Sequence, residues 1–152
     1  MSARWGTVVA ALMVIAGCAS SPVAPPESGA RYAPIVAAAA ELPARRSPAG
    51  TALSTELARG ERAFVALMRL EPGARIPAHQ DESEEYLYVL EGGGEITIDG
   101  RTWTIAPGMV VFMPSMATVS YVNGPAGSVV VQVFADPRSA AKYEAWTPVT
   151  AP

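Results

Sequence analysis

Hydrophobic and polar positions alternate over short stretches after residue 50, a pattern that is typical of β-strands. Turn residues such as Pro72–Gly73, Asp99–Gly100 and Pro107–Gly108 separate the stretches. The glycine-rich segments Glu91–Glu95 and Asn123–Gly127 are also predicted to be turns between strands. Many short, evenly spaced strands favour an all-β sandwich, jelly roll or small barrel. The predicted strands are Ala52–Leu57, Arg62–Leu70, Ile76–His79, Glu85–Glu91, Glu95–Ile98, Thr102–Ile105, Val110–Met113, Thr118–Val122 and Ser128–Ala135.

The strand that begins at Glu85 is apolar on both of its faces. Tyr86, Tyr88 and Leu90 share one face, while Leu87 and Val89 share the other. A strand with one face in water would carry polar residues at alternate positions, so we expect both faces to be covered. One face belongs to the domain core. The other requires a second sheet, the N-terminal segment or another subunit, and we therefore expect a homodimer.

The N-terminus is typical of a bacterial secretory signal. Residues 1–17 contain the early cation Arg4 and an apolar run that is about half of the ~20 residues a membrane-spanning helix needs. Ile15–Cys18 resembles the lipobox of bacterial lipoproteins, which implies cleavage before Cys18 and lipidation of that residue. An uncleaved anchor helix or an ordinary signal peptide are the alternatives. We expect a lipid-anchored protein of the cell envelope, on the outer membrane if the cell is Gram-negative.

The rest of the chain divides by composition. Residues 18–50 hold the lipidated cysteine and a linker whose dense prolines block a continuous helix, although a short helix over Ile35–Leu42 is possible. Residues 51–136 are the predicted β domain. Residues 137–152 form a tail that we expect to include a turn of helix and to fold back, through Trp146 and Val149, over an edge of that domain.

Charge and cysteine content exclude several classes of function. The net charge is −3 and no basic run is present, which gives no electrostatic basis for binding nucleic acid. Cys18 is the only cysteine, so an intrachain disulfide and a cysteine-rich zinc site are both excluded.

Two stretches of the β domain resemble the sequence motifs of cupins. The resemblance spans about residues 51–136 and implies a cupin jelly-roll barrel. Three positions depart from the motifs: Asp81 and Val119 stand where histidines belong, and Met116 replaces a glycine. The positions that match the first motif are Gly73, His79, Glu85 and Gly92, and those that match the second are Gly108, Pro114 and Asn123.

In cupins these motifs hold a metal through three histidines and a carboxylate, but His79 is the only histidine of this chain. One possibility is a weak site of His79, Asp81 and Glu85 that takes Mn, Fe or Zn, with waters completing the coordination. The other is a metal-free barrel in which His79 pairs with Asp81 or Glu85. We expect the metal-free form, because the loss of two of four ligands ends tight binding.

The resemblance implies a pocket around His79 lined by Leu87, Met116, Val119 and Tyr121, which would suit a partly apolar small ligand. We therefore expect a membrane-anchored, non-catalytic module that binds a small molecule or an envelope protein. The alternatives are a metal-dependent oxygenase or isomerase using the His79, Asp81 and Glu85 site, and a purely structural module of an envelope complex.

Overall fold

The computed structural model describes residues 33–149, and this part of the chain is an all-β domain, as the alternating pattern predicts. The predicted signal peptide, Cys18 and residues 19–32 of the predicted linker lie outside the described residues. No helix within residues 33–149 is long and apolar enough to cross a bilayer. The strands are β1 (Ala44–Arg46), β2 (Ala52–Arg59), β3 (Phe64–Leu70), β4 (Arg75–His79), β5 (Glu85–Ile98), β6 (Arg101–Ile105), β7 (Val110–Met113), β8 (Val119–Phe134) and β9 (Thr147–Val149). Two 3-10 helices span Ala39–Glu41 and Pro137–Ala145.

The two long strands, β5 and β8, are shared between the two layers of the barrel. In one layer the order is β9-β1-β2-β3-β8-β5-β7, and it uses the first half of β5 and the second half of β8. In the other layer β4 pairs with the first half of β8, while β6 pairs with the second half of β5. Because β5 and β8 pair with each other along both halves, they join the layers into one barrel.

The predicted turns at Glu91–Glu95 and Asn123–Gly127 are wrong, since both segments lie within continuous strands. The glycines at these points allow two backbones to come close together. A Cβ atom on Gly92 would lie 1.9 Å from the carbonyl oxygen of Gly127, and Gly92 has φ +66°. The chain therefore bends with shifts in β-sheet register at these positions and does not reverse.

The folded domain begins before Thr51, the predicted boundary. Strand β1 lies within the segment predicted to be a linker, and it pairs with β2 on one side and with β9 on the other. Strands of three residues are too short to show an alternating pattern, which is why neither β1 nor β9 was predicted. Their pairing fixes the C-terminal tail to the edge of the sheet.

The C-terminal 3-10 helix packs against the barrel through a cluster of aromatic rings. The ring centroids of Phe64 and Phe134 are 6.2 Å apart, and Tyr143 of the helix lies 6.0 Å from Phe64 and 6.3 Å from Phe134. Asp136 begins the helix by accepting a hydrogen bond from the backbone N–H of Arg138. This packing places the side chains of Lys142, Tyr143 and Trp146 at the wall of the barrel interior.

Candidate ligand-binding cavity

A cavity of about 500 Å³ lies between the two layers of the barrel. Most of its wall is apolar, which is the usual composition of a site for a small molecule. The polar side chains are few, and four of them are inward-facing residues of the barrel strands or the C-terminal 3-10 helix: Glu85, Gln132, Lys142 and Tyr143. The apolar lining includes Met68, Leu70, Ile76, Leu87, Ile96, Ile105, Met113, Val119, Val130 and Trp146.

Val119 lies directly opposite His79, because the two residues are Cα partners in the pairing of β4 with β8. Directly paired residues of antiparallel strands share a face of the sheet, and both side chains line the cavity. The position that holds the third histidine in cupins therefore presents an isopropyl group to His79. Leu87 and Tyr121 also line the cavity.

Met116 does not line the cavity, in contrast to the pocket that the resemblance implies. It lies in the loop before β8 with φ +63°, and its backbone N–H donates a hydrogen bond to the carbonyl oxygen of Asp81. The side chain is 53% exposed. The left-handed backbone of this turn directs Met116 away from the barrel interior.

Asp81 forms an ion pair that the sequence did not reveal. The ammonium group of Lys142 donates hydrogen bonds to both carboxylate oxygens, at 2.9 Å to Oδ1 and 2.7 Å to Oδ2. The Nε2 atom of His79 lies 3.6 Å from Oδ2 of the same carboxylate. Desolvation raises the pKa of Asp81, but the contacts with His79 and Lys142 outweigh it and lower that pKa overall.

The ring of His79 is oriented by two acceptors. Its Nδ1 lies 3.0 Å from the carbonyl oxygen of Pro77, which can only accept, so Nδ1 carries the hydrogen of that bond. This leaves Nε2 facing Asp81. The contact with the Asp81 carboxylate raises the pKa of His79, against a smaller opposing effect of burial.

Glu85 is buried in the cavity wall, with 7% of its surface exposed. Its Oε1 accepts a hydrogen bond of 2.5 Å from the amide of Gln132, whose own carbonyl oxygen accepts one of 2.8 Å from the hydroxyl of Tyr143. Burial raises the pKa of Glu85. Burial also raises the pKa of Tyr143, so this hydroxyl stays protonated and acts as the donor.

The predicted metal ligands do not fit a metal centre. Both oxygens of Asp81 are held by Lys142, Glu85 is hydrogen-bonded to Gln132, and Val119 supplies no lone pair. Within residues 33–149 no group of three histidine, cysteine or carboxylate side chains is arranged to hold a metal ion. A metal ion would have to compete with the ammonium group of Lys142 for the oxygens of Asp81.

The sequence analysis did not identify Gln132, Lys142, Tyr143 and Trp146 as residues of the cavity wall. The sequence contains a signal for two of them. Gln132 is the one polar residue in the otherwise apolar run from Val129 to Phe134, and a single polar side chain in such a strand is a candidate for a functional group. Lys142 is the only lysine of the chain, although nothing in the sequence places it beside Asp81.

Residues 66–131 match the family model described as the cupin domain. The chain contains a cupin domain.

No curated protein matches it at a significant level. Among solved structures it is similar to an RmlC-like cupin from Shewanella frigidimarina, with TM-score 0.59, 20% identity, 64% of this chain covered and 86% of that one. It is also similar to the polyketide cyclase RemF from Streptomyces resistomycificus, with TM-score 0.60, 24% identity, and 68% and 79% covered. KdgF from Halomonas sp. matches with TM-score 0.53, 21% identity, and 55% and 77% covered. At these identities the likeness shows the fold alone.

One motif position of the cupin domain has a structural part in this chain. Asn123 is buried, and its side-chain amide donates hydrogen bonds to the carbonyl oxygens of Leu70 and Glu71, at 3.0 Å and 2.7 Å. Its own Oδ1 accepts a hydrogen bond from the hydroxyl of Tyr121 at 2.9 Å. Asn123 therefore ties β8 to the end of β3 where β8 bends.

Proposed function

We propose that the cupin domain binds a small, largely apolar molecule in its cavity and does so without a metal ion. The observation that carries the proposal is the Lys142–Asp81 ion pair at the wall of the apolar cavity. A divalent ion would have to displace the ammonium group from both carboxylate oxygens, and it would find a single imidazole in return. An apolar cavity with a few polar groups is the usual form of a small-molecule site.

The alternative of a metal-dependent oxygenase or isomerase has less support. It needs His79, Asp81 and Glu85 to converge on one ion, whereas Asp81 faces Lys142 and Glu85 faces Gln132.

Trp146 lines the cavity and can report binding directly. In a Trp5→Phe, Trp103→Phe variant of the full chain, Trp146 is the single tryptophan. We expect 8-bromo-octanol to quench its fluorescence through bromine contact, and Val130→Phe, which fills the cavity, to weaken the quenching at least tenfold. Val110→Phe on the exposed outer surface is the matched control and leaves quenching unchanged. Absence of quenching, or equal quenching in the Val130→Phe variant, contradicts the proposal.

We also propose that Cys18 anchors the protein to the cell envelope through lipid. The support is the lipobox-like Ile15–Cys18 segment at the end of a short apolar run. Burial of acyl chains stabilises attachment to a bilayer by about 0.8 kcal/mol per methylene. Expression with labelled palmitate should label the wild-type protein in the membrane fraction and leave Cys18→Ser unlabelled. Equal labelling of the two proteins, or no labelling of either, would overturn the assignment.

A further inference from the structure

We propose that the ligand of the cavity is an amphiphile with one carboxylate, which is bound by Lys142. This inference rests on the proposed binding function and names the chemical class of the ligand. It follows from which members of the ion-paired group line the cavity. Lys142 and His79 both line the cavity, whereas Asp81, the acid that holds them, does not.

Asp81 therefore acts as a positioning residue behind Lys142. An ammonium group has three N–H donors, and Lys142 gives hydrogen bonds to the two oxygens of Asp81, which leaves donor capacity for a ligand. The Nζ atom also lies 4.8 Å from the ring centroid of Phe134, which restricts where the ammonium can move. A ligand carboxylate that enters the cavity meets a cation already oriented by packing.

The acidic group of the cavity wall is engaged by a neighbouring side chain. Glu85 is buried, and its Oε1 accepts the hydrogen bond of the Gln132 amide. The ammonium group of Lys142 lies at an apolar wall, where a cation attracts an anion more strongly than it would in water.

The remainder of the wall requires an apolar body on the ligand. Its side chains are branched aliphatic, methionine and aromatic groups. Arg75, at the other end of β4, also lines the cavity and is the one further cation among the lining residues. It provides a control for the position of the carboxylate.

The test compares 8-bromooctanoate with 8-bromo-octanol as quenchers of Trp146. We expect the carboxylate to bind about tenfold more tightly than the alcohol, and Lys142→Met to reduce this preference to about twofold or less. Lys142→Arg and Arg75→Met should keep the preference. An equal affinity for acid and alcohol, or a preference that survives Lys142→Met, overturns this inference while the binding function stands. If neither compound quenches Trp146, the binding function itself fails.

A second measurement does not depend on the folding of a variant. Reductive methylation with ¹³C-formaldehyde places a single side-chain NMR label on Lys142, the only lysine of the chain. Octanoate should shift the Lys142 resonance, whereas 1-octanol should leave it within a tenth of that shift. Equal shifts with both compounds contradict the carboxylate assignment.

A separate observation concerns the outer face of the sheet. Two rows of side chains run without a charged residue across β7, β5, β8 and β3, one from Phe112 to Val65 and the next from Val110 to Leu67. The rings of Tyr86 and Phe112 lie 5.0 Å apart within this face. The members of the rows are Phe112, Tyr86, Val133 and Val65, and Val110, Tyr88, Val131 and Leu67.

We infer that a second copy of this chain covers this outer face. Its large residues Tyr86, Tyr88, Leu90, Val110 and Phe112 are 39–69% exposed. At about 200 Å² for a large side chain they offer on the order of 500 Å² of surface, which together with a polar rim approaches the roughly 800 Å² per partner of a stable interface. The face carries no charged groups that would select a different partner. In a dimer with a two-fold axis the same apolar face of each subunit packs against the other.

Light scattering on the purified full chain should give a dimer. Replacement of Tyr88 and Val110 by lysine should convert it to a monomer, because four like charges would then meet in the interface. The matched control is Trp103→Lys, an exposed aromatic residue outside the two rows, which should stay dimeric. A wild-type monomer, or a dimer that survives both lysine substitutions, overturns the inference.

Discussion

Lys142 donates hydrogen bonds to both carboxylate oxygens of Asp81, although the two residues are 61 positions apart in the sequence. The contact joins the C-terminal 3-10 helix to the loop that follows β4. In consequence, the carboxylate that stands at a histidine position of the motif is neutralised by the protein itself. The same contact fixes the helix that supplies Tyr143 and Trp146 to the cavity.

Removal of the charge of Asp81 should loosen this helix. We expect Asp81→Asn to lower the free energy of unfolding by about 1 kcal/mol, a modest value because Lys142 is partly exposed and solvent screens the pair. Denaturant titration measures the effect. Glu71→Gln removes a carboxylate from a more exposed pair with Arg46, at 3.9 Å, and should change stability little. Equal effects of the two substitutions would contradict a structural part for the Asp81 pair.

Glu85 should make the stability of the domain depend on pH. Its pKa is raised in the folded state, so the proton is bound more tightly there than in the unfolded chain. The associated stability is fully present below the unfolded pKa and is lost as pH rises through the folded pKa. Glu85→Gln can still accept the hydrogen bond from Gln132, and we expect it to remove this loss.

The measurement is the difference in unfolding free energy between wild type and Glu85→Gln as pH rises from 4 upward. As pH rises, the free energy of unfolding of Glu85→Gln should increase relative to that of the wild type. Glu95→Gln, on an exposed position of the same strand, should show no such trend. A constant difference across this range would mean that the pKa of Glu85 is the same in the folded and unfolded states.

Restoration of the cupin ligands should create metal binding that the wild type does not have. Asp81→His and Val119→His place two further imidazoles beside His79, since Val119 is its direct cross-strand partner. Combined with Lys142→Met, which removes the competing cation, they should give one equivalent of Zn²⁺ by elemental analysis. The two histidine substitutions with Lys142 retained should bind more weakly. Full metal occupancy of the wild-type protein would refute the metal-free proposal.

The bend of β5 at Gly92 should not tolerate a side chain. A Cβ atom there would lie 1.9 Å from the carbonyl oxygen of Gly127, which belongs to the backbone of β8 and cannot move aside alone. We expect Gly92→Ala to lower stability by at least about 3 kcal/mol or to prevent folding. Gly100→Ala is the control, because Gly100 also has positive φ but nothing within 4 Å of the added atom. Its cost should be about 1 kcal/mol, and similar thermal unfolding of both variants would contradict the clash.

Much of the architecture could be predicted from alternation alone. The strand Val110–Met113 is confirmed with its predicted bounds, and the Asp99–Gly100 turn joins β5 to β6 as expected. Prediction failed at Gly92 and Gly127, because local glycines indicate that the chain changes direction but not how large the change is. Glycine-rich segments occur both where a strand bends between layers and where the chain reverses. The close approach of a distant strand determines which of the two forms.

The sequence by itself determined which groups the barrel has to use: one histidine, one lysine, and a valine at the third ligand position of the motif. These are matters of composition and of spacing within a strand, where alternate residues share a face. Only the tertiary structure decided that Lys142 meets Asp81 and that Gln132 joins Glu85 to Tyr143. Those contacts depend on the C-terminal 3-10 helix docking on Phe64 and Phe134, and such long-range packing leaves no periodic mark in the sequence.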